Sequence, residues 1–145
     1  RQGDFYEALC FAQERRLPLS FTLMGYSRDD RLLRRAGVAM TGRYQEEESR
    51  EVLAGLDADL VWLPSVWPET YSYTLSIALA DGLPVAAFDI GAIAARLRRE
   101  SREELLMPLA WNASPSRINS EFIHFHARLR KGVRADKAAG GIALP

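Results

Sequence analysis

An apolar run, a loop, a helical segment and a second apolar run follow one another in the middle of the chain, and this order limits the possible folds more than any other feature. Residues 60–63 are predicted to form a strand that stops at Pro64, and a helix is predicted over residues 70–81. A glycine and a proline then lead into the second apolar run at residues 85–88. A helix between two short apolar strands is typical of a parallel α/β sheet.

The same alternation of helix and strand continues along the rest of the chain. The predicted strands are 18–26, 38–41, 60–63, 85–88 and 105–109, and the predicted helices are one after Asp4, then 31–36, one from 46, then 70–81, 92–98 and 115–130. The strands are short, rich in Val and Leu and without a clear polar face, as buried parallel strands are. We therefore predict an α/β fold, a Rossmann-like, doubly wound parallel sheet of about five strands.

The 145 residues correspond in length to one domain. We assign residues 1–130 to it and predict a flexible tail over residues 131–145, which are rich in Gly, Ala and charge. The chain begins with Arg1 instead of Met, so we expect it to be a piece of a longer protein.

Charge and cysteine content narrow the possible partners and compartment. The net charge is zero and the pI is about 7, which argues against a nucleic-acid partner, since such partners usually require a strongly basic face. Cys10 is the only cysteine, so no internal disulfide can form, and the chain fits a reducing compartment. No apolar run approaches the ~20 residues of a membrane span. We expect a cytoplasmic location, with membrane association through the parent chain left open.

Ligands of open α/β sheets bind beyond the carboxyl ends of the strands. The glycine motifs that hold dinucleotides and triphosphates are absent from the sequence. A helix N-terminus can still hold a phosphate through its first amides, which here would be those of Tyr71, Ser72 and Tyr73. Glu69 precedes them, and its spacing leaves two interpretations open: it accepts hydrogen bonds from sugar hydroxyls, or it caps its own helix.

The pattern P-S-x2-P-E-x5-L-x2-A-L-A-x-G-L-P-V at residues 64–85 resembles the signature of retaining GT-B glycosyltransferases, family four, in their C-terminal, donor-binding domain. Further similar blocks are T-G-R-Y at 41–44, A-D-L-V-W-L-P-S at 58–65, G-L-P-V-A-A-F-D-I-G-A at 82–92 and Q-G-D at 2–4. Together the blocks cover most of the chain, in an order and spacing that make the resemblance fairly specific.

The resemblance implies a role for each candidate site residue. Glu69 would contact the donor sugar as the catalytic glutamate, the amides of Tyr71, Ser72 and Tyr73 would hold the diphosphate, and Gly42, Arg43 and Tyr44 would border the nucleobase. Two positions depart from the family pattern. Ile77 stands where a second glutamate binds the ribose, and Gln2 stands where a basic residue neutralises the leaving diphosphate.

The function implied is glycosyl transfer from a nucleotide diphosphate sugar to an acceptor, expected to be a glycan, with retention and without a metal or other cofactor. The acceptor would be held by an N-terminal domain absent from this chain, so the isolated domain is expected to be inactive. The alternative is a degenerate, non-catalytic nucleotide-binding or interaction module of the same fold, which Ile77 and Gln2 favour.

Several other residues could carry chemistry but have a simpler interpretation. Trp62 is predicted to be a core residue, whereas two interpretations stay open for Trp67 in the loop: stacking on a ligand, or a structural role. His124 and His126 are two positions apart on a helix and face different directions, so we predict no metal site there. Asp89 ends a strand and is predicted to form an Asx-turn.

Overall fold

A computed structural model describes residues 3–68, 72–132 and 140–144 of the chain. The six helices among them are α1 (Gly3–Glu14), α2 (Asp30–Arg35), α3 (Ser49–Gly55), α4 (Tyr73–Ala80), α5 (Gly91–Arg99) and α6 (Pro115–Gly132). The six strands are β1 (Leu19–Leu23), β2 (Ala39–Met40), β3 (Leu60–Leu63), β4 (Val85–Phe88), β5 (Leu106–Met107) and β6 (Gly140–Leu144). Short 3₁₀ turns at Glu46–Glu48 and Leu109–Ala113 precede α3 and α6.

All six strands run parallel in one sheet with the order β2-β1-β6-β3-β4-β5. If β6 is renumbered as the first strand and β1 to β5 as the second to the sixth, this order becomes 3-2-1-4-5-6. That is the spatial order of the strands in a doubly wound sheet. The predicted α/β class with a parallel sheet is therefore confirmed, and the architecture is compatible with a Rossmann-like fold.

Helices cover both faces of the sheet. One buried cluster joins apolar side chains of α1, α2 and α6 to the sheet, and the second joins those of α3, α4 and α5. In β3, Trp62 belongs to the first cluster, whereas Val61 and Leu63 belong to the second, so the strand is buried on both sides. This explains why its sequence has no polar face.

The first cluster contains an aromatic centre, formed by Trp62, Phe21 of β1 and Phe122 of α6. The Trp62 and Phe122 rings meet edge to face with centroids 5.2 Å apart, and Phe21 lies 6.4 Å from each of them. Asn119 joins α6 to α1, because its Nδ2 donates to the Ala8 carbonyl at 2.9 Å. The prediction that Trp62 is a core residue is confirmed.

The prediction of a tail at residues 131–145 is wrong for residues 140–144, which form β6 in the middle of the sheet. Ile142, Ala143 and Leu144 are all buried there. The helix α6 also continues to Gly132, two residues beyond the predicted end at 130. The glycine-rich composition suggested disorder, but strand formation depends on the neighbouring strands more than on the segment's own propensity. Residues 133–139 and 145 lie outside the described part of the chain.

Candidate functional site

The parallel sheet brings the loops after β1, β2, β3 and β4 to one edge, where ligands of doubly wound sheets bind. In such sheets the crevice opens where the strand order reverses, which here is between β6 and β3. The loop at residues 64–68 follows β3, and Trp67 within it is 66% exposed. Trp67 therefore is not part of the core and is available to a ligand.

The loops after β1 and β2 are joined by hydrogen bonds. The Gly25 amide donates to Thr41 Oγ1 at 2.8 Å, and the Gly42 amide donates to the Gly25 carbonyl at 3.0 Å. Thr41 Oγ1 in turn donates to the Gly42 carbonyl at 2.9 Å. These bonds fix the position of Gly42, which is one of the predicted nucleobase contacts.

Arg43 lies over the ring of Tyr26, with its Cζ 4.5 Å from the ring centroid. Both side chains are exposed, Tyr26 at 58%, so the pair forms a charged and aromatic surface at the carboxyl edge. Tyr44, by contrast, packs partly against the second core cluster. Tyr26 was not among the predicted site residues, although it is the last residue of a predicted strand and thus lies where ligands of such sheets bind.

The helix α4 begins at Tyr73, three residues later than the predicted start at Thr70. Ser72 is its N-cap, and the Ser72 Oγ accepts a hydrogen bond from the Leu75 amide at 3.2 Å. The amides of Tyr73 and Thr74 thus belong to the first turn, where the helix itself supplies no acceptor. Glu69, Thr70 and Tyr71 lie outside the described residues.

Ser72 and Tyr73 therefore lie at the start of α4, and Gly42, Arg43 and Tyr44 lie together in the loop after β2. Both groups follow the carboxyl ends of parallel strands, so they share one edge of the sheet.

Gly91, the first residue of α5, lies against the loop after β3. A Cβ added at Gly91 would be 2.7 Å from Pro68 Cα, which is closer than real Cβ atoms approach backbone. The φ of Gly91 is +70°, which also disfavours any other residue. The position of the 64–68 loop therefore depends on the absence of a side chain at residue 91.

Asp89 pairs with Arg98 of α5, in place of the Asx-turn that we expected. The Arg98 Nη2 donates to Asp89 Oδ2 at 2.6 Å, and both side chains are about half exposed. This hydrogen bond, together with the positive charge of Arg98, holds the pKa of the Asp89 carboxyl below its ordinary value.

Replacing Arg98 by alanine should raise the pKa of Asp89 towards its ordinary value. In the intact protein the pair should stabilise the fold above the unfolded carboxyl pKa of about 3.9, and this contribution should disappear as the pH falls through the lower folded pKa. An NMR titration of the Asp89 carboxyl measures the change directly. Arg99→Ala, at the exposed neighbouring arginine, is the control and should leave the Asp89 pKa unchanged; an equal rise there would contradict the assignment.

Other arginines of this region bind to protein groups. Arg96 Nη1 donates to Ser76 Oγ at 2.7 Å, and Arg102 Nη2 donates to the Leu83 carbonyl at 2.7 Å. Both side chains are therefore held by groups of the protein itself.

Ile77 lies on α4 and is only 8% exposed within the second core cluster. It therefore packs in the core and offers no polar atom to a ribose.

A groove of about 680 Å³ lies elsewhere, between α3 and the end of α4. Its walls include Glu47, Glu51 and Asp81, and Asp81 accepts a hydrogen bond from Arg50 Nε at 2.7 Å. It borders the residues that precede β3 and β4, away from the edge where α/β ligands bind.

Within the described ranges, no group of three or more His, Cys, Asp or Glu side chains is placed to hold a metal ion. None of the helices in the same part of the chain is both long and apolar enough to cross a membrane. Comparison with known proteins gave no matching family model, curated protein or solved structure.

Proposed function

We propose that this chain is the donor-binding domain of a retaining GT-B glycosyltransferase and that it binds a nucleotide diphosphate sugar at the carboxyl edge of the sheet. The observation that carries the proposal is the position of α4: the motif that resembles the glycosyltransferase signature begins this helix at that edge, with Ser72 as its cap. First-turn amides and the positive end of the helix dipole stabilise a phosphate at such a place.

The nucleobase would lie on the surface formed by Arg43 and Tyr26. A base has a flat π-face, and stacking on an aromatic ring or a guanidinium plane is worth about 1–3 kcal/mol. This surface follows β1 and β2, and the start of α4 follows β3, on the other side of β6 in the strand order. Their position at one edge of the sheet supports a ligand with a base at one end and a diphosphate at the other. In the proposed complex Glu69 contacts the donor sugar, and the full-length enzyme transfers that sugar to an acceptor held by another domain.

A second candidate is a non-catalytic module of the same fold, and the burial of Ile77 favours it. A buried isoleucine cannot replace a ribose-binding glutamate, so nucleotide binding in this chain would lack that interaction. The two candidates differ in their response to sugar nucleotides, since a degenerate module need not distinguish a nucleoside diphosphate from its sugar conjugate.

Replacing Tyr73 by proline should remove one phosphate-binding amide and leave the helix intact. Proline is favoured at the first helical position, and Ser72 already has the extended backbone (φ −139°, ψ 117°) that a residue before proline requires. Loss of a hydrogen bond to a charged group costs roughly 1.5–3 kcal/mol, so the affinity for a nucleoside diphosphate should fall about ten- to a hundredfold in calorimetric titration.

Tyr73→Ala is the matched control, because it removes the same ring but keeps the amide. It should bind the diphosphate with nearly the original affinity, and equal losses in the two variants would contradict a role of the amide.

Glu69→Ala, titrated in the same way, should lose affinity for the sugar nucleotide and keep its affinity for the plain diphosphate. Robust sugar transfer by the isolated chain would contradict the proposal that the acceptor side lies elsewhere.

A further inference from the structure

Large apolar side chains are exposed mainly at one edge of the sheet. The described part of the chain has five of them: Tyr26, Leu32, Trp67, Tyr73 and Leu109. Four follow the carboxyl ends of β1, β3 and β5, whereas Leu32 lies on α2. Single exposed apolar residues are ordinary, but a concentration of them at one place marks a binding surface. Trp67 is the largest of the set and, at 66%, the most exposed.

The loop that carries Trp67 is held from several sides. Ser65 Oγ donates to the Trp67 carbonyl at 3.2 Å, and the Trp67 amide donates to the same oxygen at 3.3 Å. Val66 packs against the first buried cluster, and Pro68 lies against Gly91. A proline also restricts the residue before it, here Trp67, to extended backbone conformations. The indole of Trp67 is therefore exposed on a backbone that is fixed in place.

An exposed indole on a fixed backbone is suited to stacking. A tryptophan side chain has two rotatable bonds, so ordering it on a ligand costs little conformational entropy. A loop that is already ordered adds little to this cost, and such preorganisation raises affinity. The face of the Trp67 indole can therefore bind an apolar surface of a ligand with a small entropic penalty.

The surroundings of Trp67 favour a neutral partner. The loop at residues 64–68 carries no charged side chain, and none of the cation–π contacts between described residues involves Trp67. Tyr26 differs, because the guanidinium of Arg43 lies over its ring. The Tyr26 surface thus suits a ring that is joined to an anion, whereas Trp67 suits an uncharged ring with an apolar face.

The strand order separates Trp67 from the surface proposed for the base. The Trp67 loop follows β3 and lies against the start of α5 after β4, whereas Tyr26 and Arg43 follow β1 and β2, on the other side of β6. A ligand whose base lies on Tyr26 and whose diphosphate lies at the start of α4 would therefore extend its far end towards the loops after β3 and β4.

We propose that the Trp67 indole is a stacking platform for a pyranose ring. The C–H groups on one side of such a ring form an uncharged apolar face, and their partly positive hydrogens are attracted to the negative face of the indole. The choice of a sugar over other flat ligands rests on the proposed function. Two sources carry such a ring: the sugar of a sugar nucleotide, and a neutral glycan.

A fluorine NMR titration of the chain labelled with fluorotryptophan follows its three tryptophans separately. The probes are uridine and guanosine diphosphates, their glucose and mannose conjugates, and neutral oligosaccharides of glucose, mannose and N-acetylglucosamine. The Trp67 signal, assigned with Trp67→Phe, should shift saturably with a sugar-bearing probe, and the signal of the buried Trp62 should not move. A shift with sugar nucleotides alone identifies the donor sugar as the source, and a shift with neutral oligosaccharides identifies a glycan.

Trp67→Ala should lower the affinity for the responding probe about tenfold, whereas Trp67→Tyr keeps an aromatic face and should retain most of it. Both variants should keep the original thermal stability, because the side chain is exposed. No shift of Trp67 with any probe, or an unchanged affinity in Trp67→Ala, would overturn the proposal.

The same titrations separate this inference from the proposed function. If the Tyr73 and Thr74 amides respond to the diphosphates while Trp67 responds to no sugar, the platform is wrong and the proposed function stands. If Trp67 responds to a neutral oligosaccharide while those amides respond to no nucleotide, the platform stands and the proposed function is wrong.

Discussion

Replacing Ile142 by aspartate is expected to unfold the domain at room temperature. Ile142 is 2% exposed and pairs with Phe21 on one side and Leu60 on the other. It belongs to the first buried cluster, which contains the aromatic centre. A carboxylate there would be buried among apolar side chains, at a cost of several kcal/mol beyond the loss of the isoleucine's own burial. The total is comparable with the roughly 5–15 kcal/mol by which domains are stable.

Chemical denaturation followed by circular dichroism measures this effect. Ile142→Val is the control, since it removes one methylene from the same place and should cost about 0.5–1.5 kcal/mol. If the aspartate variant unfolds at the same denaturant concentration as the original protein, β6 does not lie between β1 and β3.

Replacing Gly91 by alanine is expected to destabilise the domain by about 3 kcal/mol and to move the 64–68 loop. Two costs add here: the positive φ of +70°, worth about 1–2 kcal/mol for a residue with a Cβ, and a contact of 2.7 Å with the Pro68 backbone. Because the loop carries Trp67 to the carboxyl edge, NMR signals of that indole should shift as well.

Two other glycines separate the contributions. Gly82 has a φ of +73° but no atom within 4 Å of an added Cβ, so Gly82→Ala should show the backbone cost alone. Gly55 in α3 has neither a positive φ nor a near neighbour, and Gly55→Ala should be neutral or stabilising by up to about 1 kcal/mol. Equal effects for Gly91→Ala and Gly82→Ala would show that the Pro68 contact carries no cost.

Most of the sheet was predictable because its strands have a strong local pattern. The bounds of β3 and β4 agree with the prediction, since both are continuous apolar runs flanked by proline or glycine. The strand β6 was missed because only Ile142 and Leu144 distinguish it from a flexible tail. Its stability comes from two neighbouring strands far away in the sequence, and no local window contains that information.

The candidate site was predictable only in part, for the same physical reason. The spacing of polar and apolar residues placed the start of α4 at Thr70, whereas the structure places it at Tyr73, with Ser72 as the cap. The stacking of Arg43 on Tyr26 joins loops after two different strands, and so does the contact of Gly91 with Pro68. Such contacts follow from the strand order, which the sequence pattern does not contain.

The most direct test of the proposed donor site is an NMR titration of the isotopically labelled chain with nucleoside diphosphates and their sugar conjugates. Binding at the carboxyl edge predicts saturable shifts of the Tyr73 and Thr74 amides together with those of Gly42 and Arg43. Shifts confined to the groove between α3 and α4, or no response to any of the compounds, would contradict the account.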